Sequence, residues 1–262
     1  MTQNPPTPPT RDASPTPDDI RIGSLSELVP CLDRMVHTAS GVRAVCFDLF
    51  GTLMQYGRRI ERNAAEGVEQ AEGAESGESV FKSVQRWVNT VDPALGGDFA
   101  RVVMTETISS RVDDYWPALA KRFAVTPSST QLAAWRERLE GECRRVALFD
   151  DVRAALKALQ ARGLAIAVCS NLAMPFALAA RRVLREVEDA AGLAIQAEVM
   201  SCEVGSIKSE LAIYEAAVTA LGVSECRIVF VCDRLIEDVH GPRRVGMRSV
   251  WLERVQSADV NV

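Results

Sequence analysis

Apolar positions along this chain follow two patterns, which predict strands and helices in alternation. Short continuous apolar runs have the composition of strands buried on both faces of a parallel sheet. These runs lie at 44–47, within 164–171 and at 228–232, and the segments 195–200 and 248–252 are predicted as the third and the last strand. Helical periodicity occupies 151–163 and the segment after 208, with Gly163 as a C-terminal stop. The pattern predicts an α/β fold with a Rossmann-like parallel sheet.

A long segment of helical periodicity interrupts the α/β pattern after the first strand. Its amphipathic stripes run over 80–88, 102–119 and 132–143. We therefore predict a helical insert at 55–145. The α/β core is then made of 41–54 and 146–256.

The N-terminal segments carry no candidate chemistry. Residues 1–23 are rich in proline, threonine and aspartate, a composition that buries too little apolar surface to offset the entropy of ordering, so we predict a disordered tail. Residues 24–40 carry a helical stripe, with Ser24 and Glu27 at capping-box spacing, and are predicted to form an accessory helix.

Composition narrows the possible partners. The net charge of −5 gives no general attraction to nucleic acid or to anionic membranes. No apolar run approaches the roughly 18 residues that a membrane span needs. The N-terminus lacks the features of a secretory signal, and seven cysteines without a CxxC pair indicate reduced core thiols. We expect a cytoplasmic protein without nucleic-acid or membrane partners, and the sequence does not indicate its oligomeric state.

Polar residues follow several of the predicted strands directly. Asp48 ends the first strand, Ser170 and Asn171 end the second, and Asp233 follows the fourth. In open parallel sheets, ligands bind at the carboxyl ends of the strands. A carboxylate at that edge can attack an electrophile and form a covalent ester. With only two histidines in the chain, His-based zinc sites and Ser-His-Asp hydrolysis are poorly supported.

The segment around Asp48 resembles the first motif of the haloacid dehalogenase superfamily. The sequence FDLFGTL at 47–53 has that motif's aspartate, followed by a glycine and a threonine. The resemblance implies that Asp48 is the nucleophile. Ser170 resembles the second motif, whose hydroxyl binds the anionic group of the substrate.

Two later segments resemble the remaining motifs of the superfamily. Lys208, before a predicted helix, resembles the third motif, whose lysine neutralises the nucleophile and the substrate, although Ser209 stands where many members have proline. Asp233 and Asp238 resemble the acidic fourth motif, with Cys232 in place of its usual glycine. Together the motifs cover 42 to about 252 in the expected order.

The resemblance also implies an architecture. The strand that bears the nucleophile should lie between the acidic strand and the hydroxyl strand. The helical insert should be a cap that covers the site and selects the substrate. Catalytic roles are then expected for Asp48, Ser170 and Lys208, and substrate contacts for Thr52, Asn171 and Phe50.

The acidic residues favour a metal site. Carboxylate oxygens from separate strand ends suit Mg²⁺, and a cation between Asp48 and Asp233 would remove their repulsion. The expected ligands are Asp48, Asp233, Asp238 and the backbone carbonyl of Phe50, with Glu237 as an alternative to Asp238.

Phe50 leaves the type of reaction open. Phosphatases of the superfamily carry a second aspartate at this position, as a general acid worth roughly 10² to 10⁴-fold in rate, whereas its dehalogenases often carry an aromatic residue and use no metal. The expected function is Mg²⁺-dependent hydrolysis of a small, anionic phosphorylated metabolite. The alternatives are a metal-independent 2-haloacid dehalogenase and a catalytically degenerate member that binds a phosphorylated ligand or a partner protein.

Overall fold

The computed structural model describes residues 20–35, 41–56 and 79–254. Most of the predicted tail and the segment 57–78 of the insert lie outside the described residues. The strands are β1 (Ile20–Ile22), β2 (Ala44–Phe47), β3 (Met54–Tyr56), β4 (Val146–Leu148), β5 (Ala165–Ser170), β6 (Ala197–Met200), β7 (Ile228–Cys232) and β8 (Arg248–Leu252). The α-helices are α1 (Leu28–Met35), α2 (Val80–Val91), α3 (Pro93–Thr105), α4 (Val112–Arg122), α5 (Ser129–Arg144), α6 (Val152–Gln160), α7 (Met174–Ala191), α8 (Ser201–Val204), α9 (Leu211–Leu221) and α10 (Gly241–Arg244).

Six strands form one parallel sheet in the order β1-β8-β7-β2-β5-β6, which confirms the predicted α/β fold. The first predicted strand, β2, pairs with β5 on one side and with β7 on the other. Phe47 of β2 lies beside Val168 and Val231 of its two neighbours. The expected order of nucleophile, hydroxyl and acidic strands is therefore confirmed, and their carboxyl ends share one edge.

The continuous apolar character of β2 arises because both faces of the sheet are covered. Side chains of successive strand residues point to opposite faces. Val45 and Phe47 belong to the larger hydrophobic cluster, whereas Ala44 and Cys46 belong to the smaller one, with α9. All four are fully buried. This rigid central strand holds the residue that follows it, Asp48.

The N-terminal segment differs from the prediction. Ile20–Ile22 form β1 and pair in parallel with β8 at the edge of the sheet, so the prediction of disorder over 1–23 is wrong at these residues. The pairing with β8 satisfies backbone groups on one side of β1, and Ile22 is buried. The accessory helix exists as α1, after a short 3-10 turn. Ser24 does not cap it, since its hydroxyl lies 2.5 Å from that of Ser26.

The described part of the insert is helical, as expected, and contains α2 to α5. The single stripe predicted over 102–119 is divided between two helices, α3 and α4. Glu142 of α5 is buried and accepts hydrogen bonds from Val80 N (2.7 Å) and Ser79 Oγ (3.1 Å). These bonds satisfy donors at the start of α2, which the helix itself cannot satisfy. The helices of the insert are thereby held together at this end.

A short antiparallel ribbon of β3 and β4 joins the insert to the core. It begins directly after the turn that follows Asp48, so the insert leaves the core next to the candidate site. Among the described residues, no helix combines the length and the apolar character that crossing a membrane would require.

Candidate active site

Asp48 is held at the centre of the sheet edge. Its backbone N–H donates to the Val231 carbonyl at 2.9 Å, and the residue is 5% exposed. Its Oδ1 accepts a hydrogen bond from Ser170 Oγ at 2.8 Å and forms an ion pair with Lys208 Nζ at 2.6 Å. The structure therefore brings together the three residues for which catalytic roles were predicted.

Lys208 reaches Asp48 because the loop before α9 is held in place. The Lys208 N–H donates to Asn171 Oδ1 at 2.7 Å, and Ser209 adopts a left-handed conformation with φ of 57°. The predicted substrate residue Asn171 thus fixes the loop of the lysine, and its contact with substrate stays a prediction. The Lys208 side chain is only 3% exposed, so its charge acts in a largely water-free site.

A tight turn after Asp48 brings the chain against the acidic strand. The Leu49 carbonyl accepts hydrogen bonds from Leu53 N (2.8 Å) and Met54 N (2.7 Å). Gly51 has a φ of 87°, and a Cβ there would lie 2.1 Å from Asp233 Oδ2. Only glycine permits both this conformation and this approach.

Thr52 lies within the same turn and contacts the acidic strand. Its Oγ1 donates to Asp233 Oδ1 at 3.3 Å, and the residue is fully buried. The hydroxyl thus has a partner within the protein, and the predicted contact of Thr52 with substrate remains a prediction.

Asp233 directly follows β7, and the environment of its side chain disfavours the negatively charged form. Burial and, to a smaller extent, the nearby charge of Asp48 raise the pKa of its carboxyl from 3.8 to about 6, against the opposing effects of Lys208 and Arg234. Its carbonyl accepts a hydrogen bond from Trp251 Nε1 at 3.1 Å, which holds the backbone in place. The carboxylates of Asp48 and Asp233 thus lie at the ends of neighbouring strands, where the charge of one raises the pKa of the other.

Asp48 and Asp233 both offer oxygen ligands, which suit a bound Mg²⁺ ion. Carboxylate oxygens are the ligands that Mg²⁺ prefers, and two acidic side chains that repel each other gain stability from a cation. Within the described side chains, no group of three acidic, cysteine or histidine residues is arranged around a common point. The side chains of Glu237 and Asp238 lie outside the described residues, although their backbone forms a π-helical turn at Leu235–His240. Their role as ligands stays a prediction.

Phe50 belongs to a group of rings that links the core to the insert. Its ring centroid lies 5.1 Å from that of Tyr56 and 6.0 Å from that of Phe176 on α7. Phe81 of α2 lies 5.8 Å from Phe176. We call Phe50, Tyr56, Phe81 and Phe176 the aromatic cluster. The sequence analysis identified only Phe50 as a site residue, because nothing in the spacing of the other rings indicates that they meet.

Arg254 contacts the turn that follows Asp48, and the sequence alone does not mark it as a site residue. Its guanidinium donates to the Thr52 carbonyl and pairs with Asp151. It lies beyond the last predicted strand, so no motif and no periodicity marks it.

The fold and the site together are typical of one class of α/β enzymes. They combine a parallel α/β core, a helical insert that follows β2 and β3, and a buried carboxylate–lysine pair at the edge of the sheet. The family model of the haloacid dehalogenase-like hydrolases matches residues 42–246. The chain therefore belongs to the haloacid dehalogenase-like hydrolase family.

The proteins similar to this chain include a phosphatase and a 2-haloacid dehalogenase. A phosphoserine phosphatase of Thermus thermophilus is 34% identical over 115 residues, which are 43% of this chain and 43% of that protein. The chain thus matches less than half the length of this curated relative.

Crystal structures show the shared fold at low identity. A haloacid dehalogenase family enzyme, bt-2542 of Bacteroides thetaiotaomicron, is 14% identical, with a TM-score of 0.50 over 83% of this chain and 96% of that one. A 2-haloacid dehalogenase of Pseudomonas syringae pv. Tomato DC3000 is 20% identical, with a TM-score of 0.50 over 84% and 91%.

Proposed function

We propose that this protein is a Mg²⁺-dependent hydrolase that acts on a small, anionic phosphorylated metabolite, with Asp48 as nucleophile. The observation that carries this proposal is the pair of carboxylates at neighbouring strand ends, the buried Asp48 and the partly buried Asp233, which lie close enough for the charge of Asp48 to raise the pKa of Asp233. Lys208 balances one negative charge, and a divalent cation would balance the other. The partial match to a phosphoserine phosphatase supports the same reaction type. A cytoplasmic location remains a prediction from the sequence.

The residues present can carry out phosphoryl transfer through Asp48. A carboxylate oxygen of Asp48 would attack phosphorus, the bond from phosphorus to the leaving oxygen would break, and that oxygen would take up a proton from solvent. Water would then attack the phosphorylated aspartate, release inorganic phosphate and restore the carboxylate. Ser170 and Lys208 orient Asp48 through their contacts with Oδ1. When bound by Asp48 and Asp233, Mg²⁺ would supply positive charge beside the transferred group.

Asp233→Asn tests the metal site without relying on turnover. Binding to the folded state raises the melting temperature by mass action. We expect Mg²⁺ to raise the melting temperature of the wild type and to have little effect on that of Asp233→Asn. Asp33→Asn, which changes an exposed aspartate paired with Arg162, serves as the control and should keep the full response. An undiminished response in Asp233→Asn would place the metal elsewhere.

The same variant should also change the dependence of stability on pH in metal-free buffer. The folded-state pKa of Asp233, about 6, lies above its ordinary value of 3.8, so folding favours the protonated form. This stabilising contribution is complete below pH 3.8 and is lost as the pH rises through about 6. We expect the metal-free wild type to lose up to about 3 kcal/mol over this range, and Asp233→Asn to lose less. Urea unfolding between pH 4 and pH 8 measures the difference.

Phe50→Asp tests whether the site lacks a general acid. The variant places a carboxyl where phosphatases of the family carry their acid. We expect hydrolysis of an unactivated phosphate ester to increase by about 10-fold or more, and that of an activated ester to change little, because only a poor leaving group needs a proton in the transition state. The measurement is kcat/KM for both esters in both proteins. An equal response of the two esters would contradict the missing-acid explanation.

A metal-independent 2-haloacid dehalogenase is the second candidate function, and the aromatic cluster favours it. Phe50 packs against Tyr56 and Phe176, as expected for a residue that surrounds the carbon chain of a substrate. A halide leaving group needs no proton, so the lack of a general acid at position 50 would not slow the reaction. In that case Phe50→Asp should destroy haloacid turnover without creating phosphatase activity, because a buried unpaired charge is unfavourable.

A further inference from the structure

We infer that Arg254 is a positioning residue for the candidate active site. It fixes the backbone of Thr52, and Thr52 in turn holds the side chain of Asp233 in place. Its effect on turnover rests on the function proposed above, whereas its effect on the structure of the turn does not. Arg254 touches neither Asp48 nor Asp233 in any contact of the described residues. It acts through the backbone of the turn that follows Asp48 and packs against Asp233.

All three nitrogens of the Arg254 guanidinium donate hydrogen bonds. Nη2 and Nε donate to the Thr52 carbonyl at 2.7 Å and 3.2 Å. Nη1 and Nη2 donate to the carboxylate of Asp151 at 3.1 Å and 3.0 Å. The guanidinium carbon lies 3.8 Å from the centroid of the Phe149 ring. With its side chain only 17% exposed, Arg254 is a partly buried, charge-assisted clamp.

The clamp lies where the insert joins the core. Phe149 and Asp151 follow β4, the return strand of the ribbon, and the Phe149 N–H donates to the Leu53 carbonyl at 3.1 Å. Asp151 also accepts a hydrogen bond from Leu25 N at 2.9 Å. Arg254 therefore ties together the turn after the nucleophile, the end of the ribbon and the N-terminal segment.

The path from the clamp to the site is short. The carbonyl that Arg254 holds belongs to Thr52, whose hydroxyl donates to Asp233 Oδ1. The preceding residue, Gly51, packs so closely on Asp233 Oδ2 that a Cβ would not fit. A shift of this turn by a few tenths of an ångström would therefore move the surface against which the Asp233 carboxylate rests. Misplacement of a reacting or metal-binding group by about 1 Å can cost roughly 10²-fold in rate.

The geometry requires arginine. The planar guanidinium donates to two acceptors at once and stacks on a ring with its face, whereas a lysine ammonium is a compact charge that cannot do both. Arg254→Met keeps an apolar side chain over Phe149 and removes all the donors. Arg254→Lys keeps the charge and part of the hydrogen bonding.

The matched control is Arg181, on the far side of the fold. Arg181 of α7 pairs with Glu198 and Glu203 at 2.6 Å each, and its side chain is 19% exposed, close to the value for Arg254. Arg181→Met therefore removes an equally buried arginine with two carboxylate contacts, and no residue of the candidate site takes part in them.

The test combines amide hydrogen exchange in metal-free buffer with steady-state kinetics. In Arg254→Met we expect exchange of the amides of 51–54 to accelerate by at least about 10-fold, because the turn opens locally. With Mg²⁺, kcat on an activated phosphate ester should fall by about 10- to 10²-fold while KM changes by less than about 3-fold. Arg254→Lys should lie between Arg254→Met and the wild type, and Arg181→Met should match the wild type in both measurements.

The outcomes separate the clamp from the proposed function. If Arg254→Met and Arg181→Met lose protection equally, or if neither loses protection at 51–54, Arg254 does not position the turn and the inference is overturned. If the wild type hydrolyses no phosphate ester, the proposed function fails and hydrogen exchange alone decides the structural part. If Arg254→Met does not fold, the same comparison between Arg254→Lys and Arg181→Met decides it.

Discussion

Asp48→Asn is expected to lower kcat by at least about 10³-fold while leaving the fold intact. The amide is nearly isosteric with the carboxylate but is a poor nucleophile. The amide oxygen can still accept the hydrogen bond from Ser170. The negative charge of Asp233 also still balances part of the positive charge of Lys208. The measurement is single-turnover hydrolysis, with thermal unfolding as the check on folding.

The control for this prediction is Asp33→Asn, an exposed aspartate far from the sheet edge, which should keep wild-type turnover. Activity of Asp48→Asn within a few-fold of wild type would remove Asp48 from the mechanism. The experiment also addresses the possibility that the protein only binds a phosphorylated ligand, because a wild type without turnover that binds phosphate would support that alternative.

Lys208→Met is expected to have the second largest effect, on both rate and stability. The ammonium forms a 2.6 Å ion pair with Asp48, and both side chains are almost entirely buried. Breaking a buried ion pair by removing one partner typically costs about 3–5 kcal/mol, because the other charge is left uncompensated. The loss of charge beside the transferred group should also lower kcat by at least about 10²-fold.

Magnesium provides an internal check on this prediction. If the cation is held by Asp48 and Asp233, Mg²⁺ should restore more stability to Lys208→Met than it adds to the wild type, because the variant has the larger excess of negative charge. Urea unfolding with and without Mg²⁺ measures this, and Lys157→Met on the exposed face of α6 is the control. Wild-type stability in Lys208→Met without Mg²⁺ would show that the pair makes no net contribution.

The elements nearest the candidate site were predictable because their sequence signal is local. A strand covered on both faces has to be apolar at every position, and such runs stand out in 44–47 and 228–232. The residue after each run is fixed at the sheet edge by the hydrogen bonding of the strand. Asp48, Ser170 and Asp233 could therefore be assigned to one edge from the sequence.

Contacts made by tertiary packing could not be predicted in the same way. Arg254 meets Thr52 only because β8 lies beside β7 in the sheet and the chain then returns towards the turn. The aromatic cluster forms from a loop, a ribbon, a core helix and a cap helix, which no periodicity relates to one another.

A weak signal was misread at the N-terminus. Ile20 and Ile22 alternate with a polar residue as in a strand, but three residues carry too little signal beside a proline-rich segment. Their partner is β8, which would be the edge of the sheet without β1 and whose free hydrogen-bonding groups are not visible in the sequence.

The most direct test of the proposed function is product release by the wild type from two substrates, with and without Mg²⁺. One substrate is an activated phosphate ester and the other is a 2-haloacid, each incubated either with Mg²⁺ or with a chelator. We expect release of inorganic phosphate that requires Mg²⁺, and no release of halide in either buffer. Release of halide in the presence of the chelator, without phosphate release in Mg²⁺, would contradict the account and establish the dehalogenase alternative.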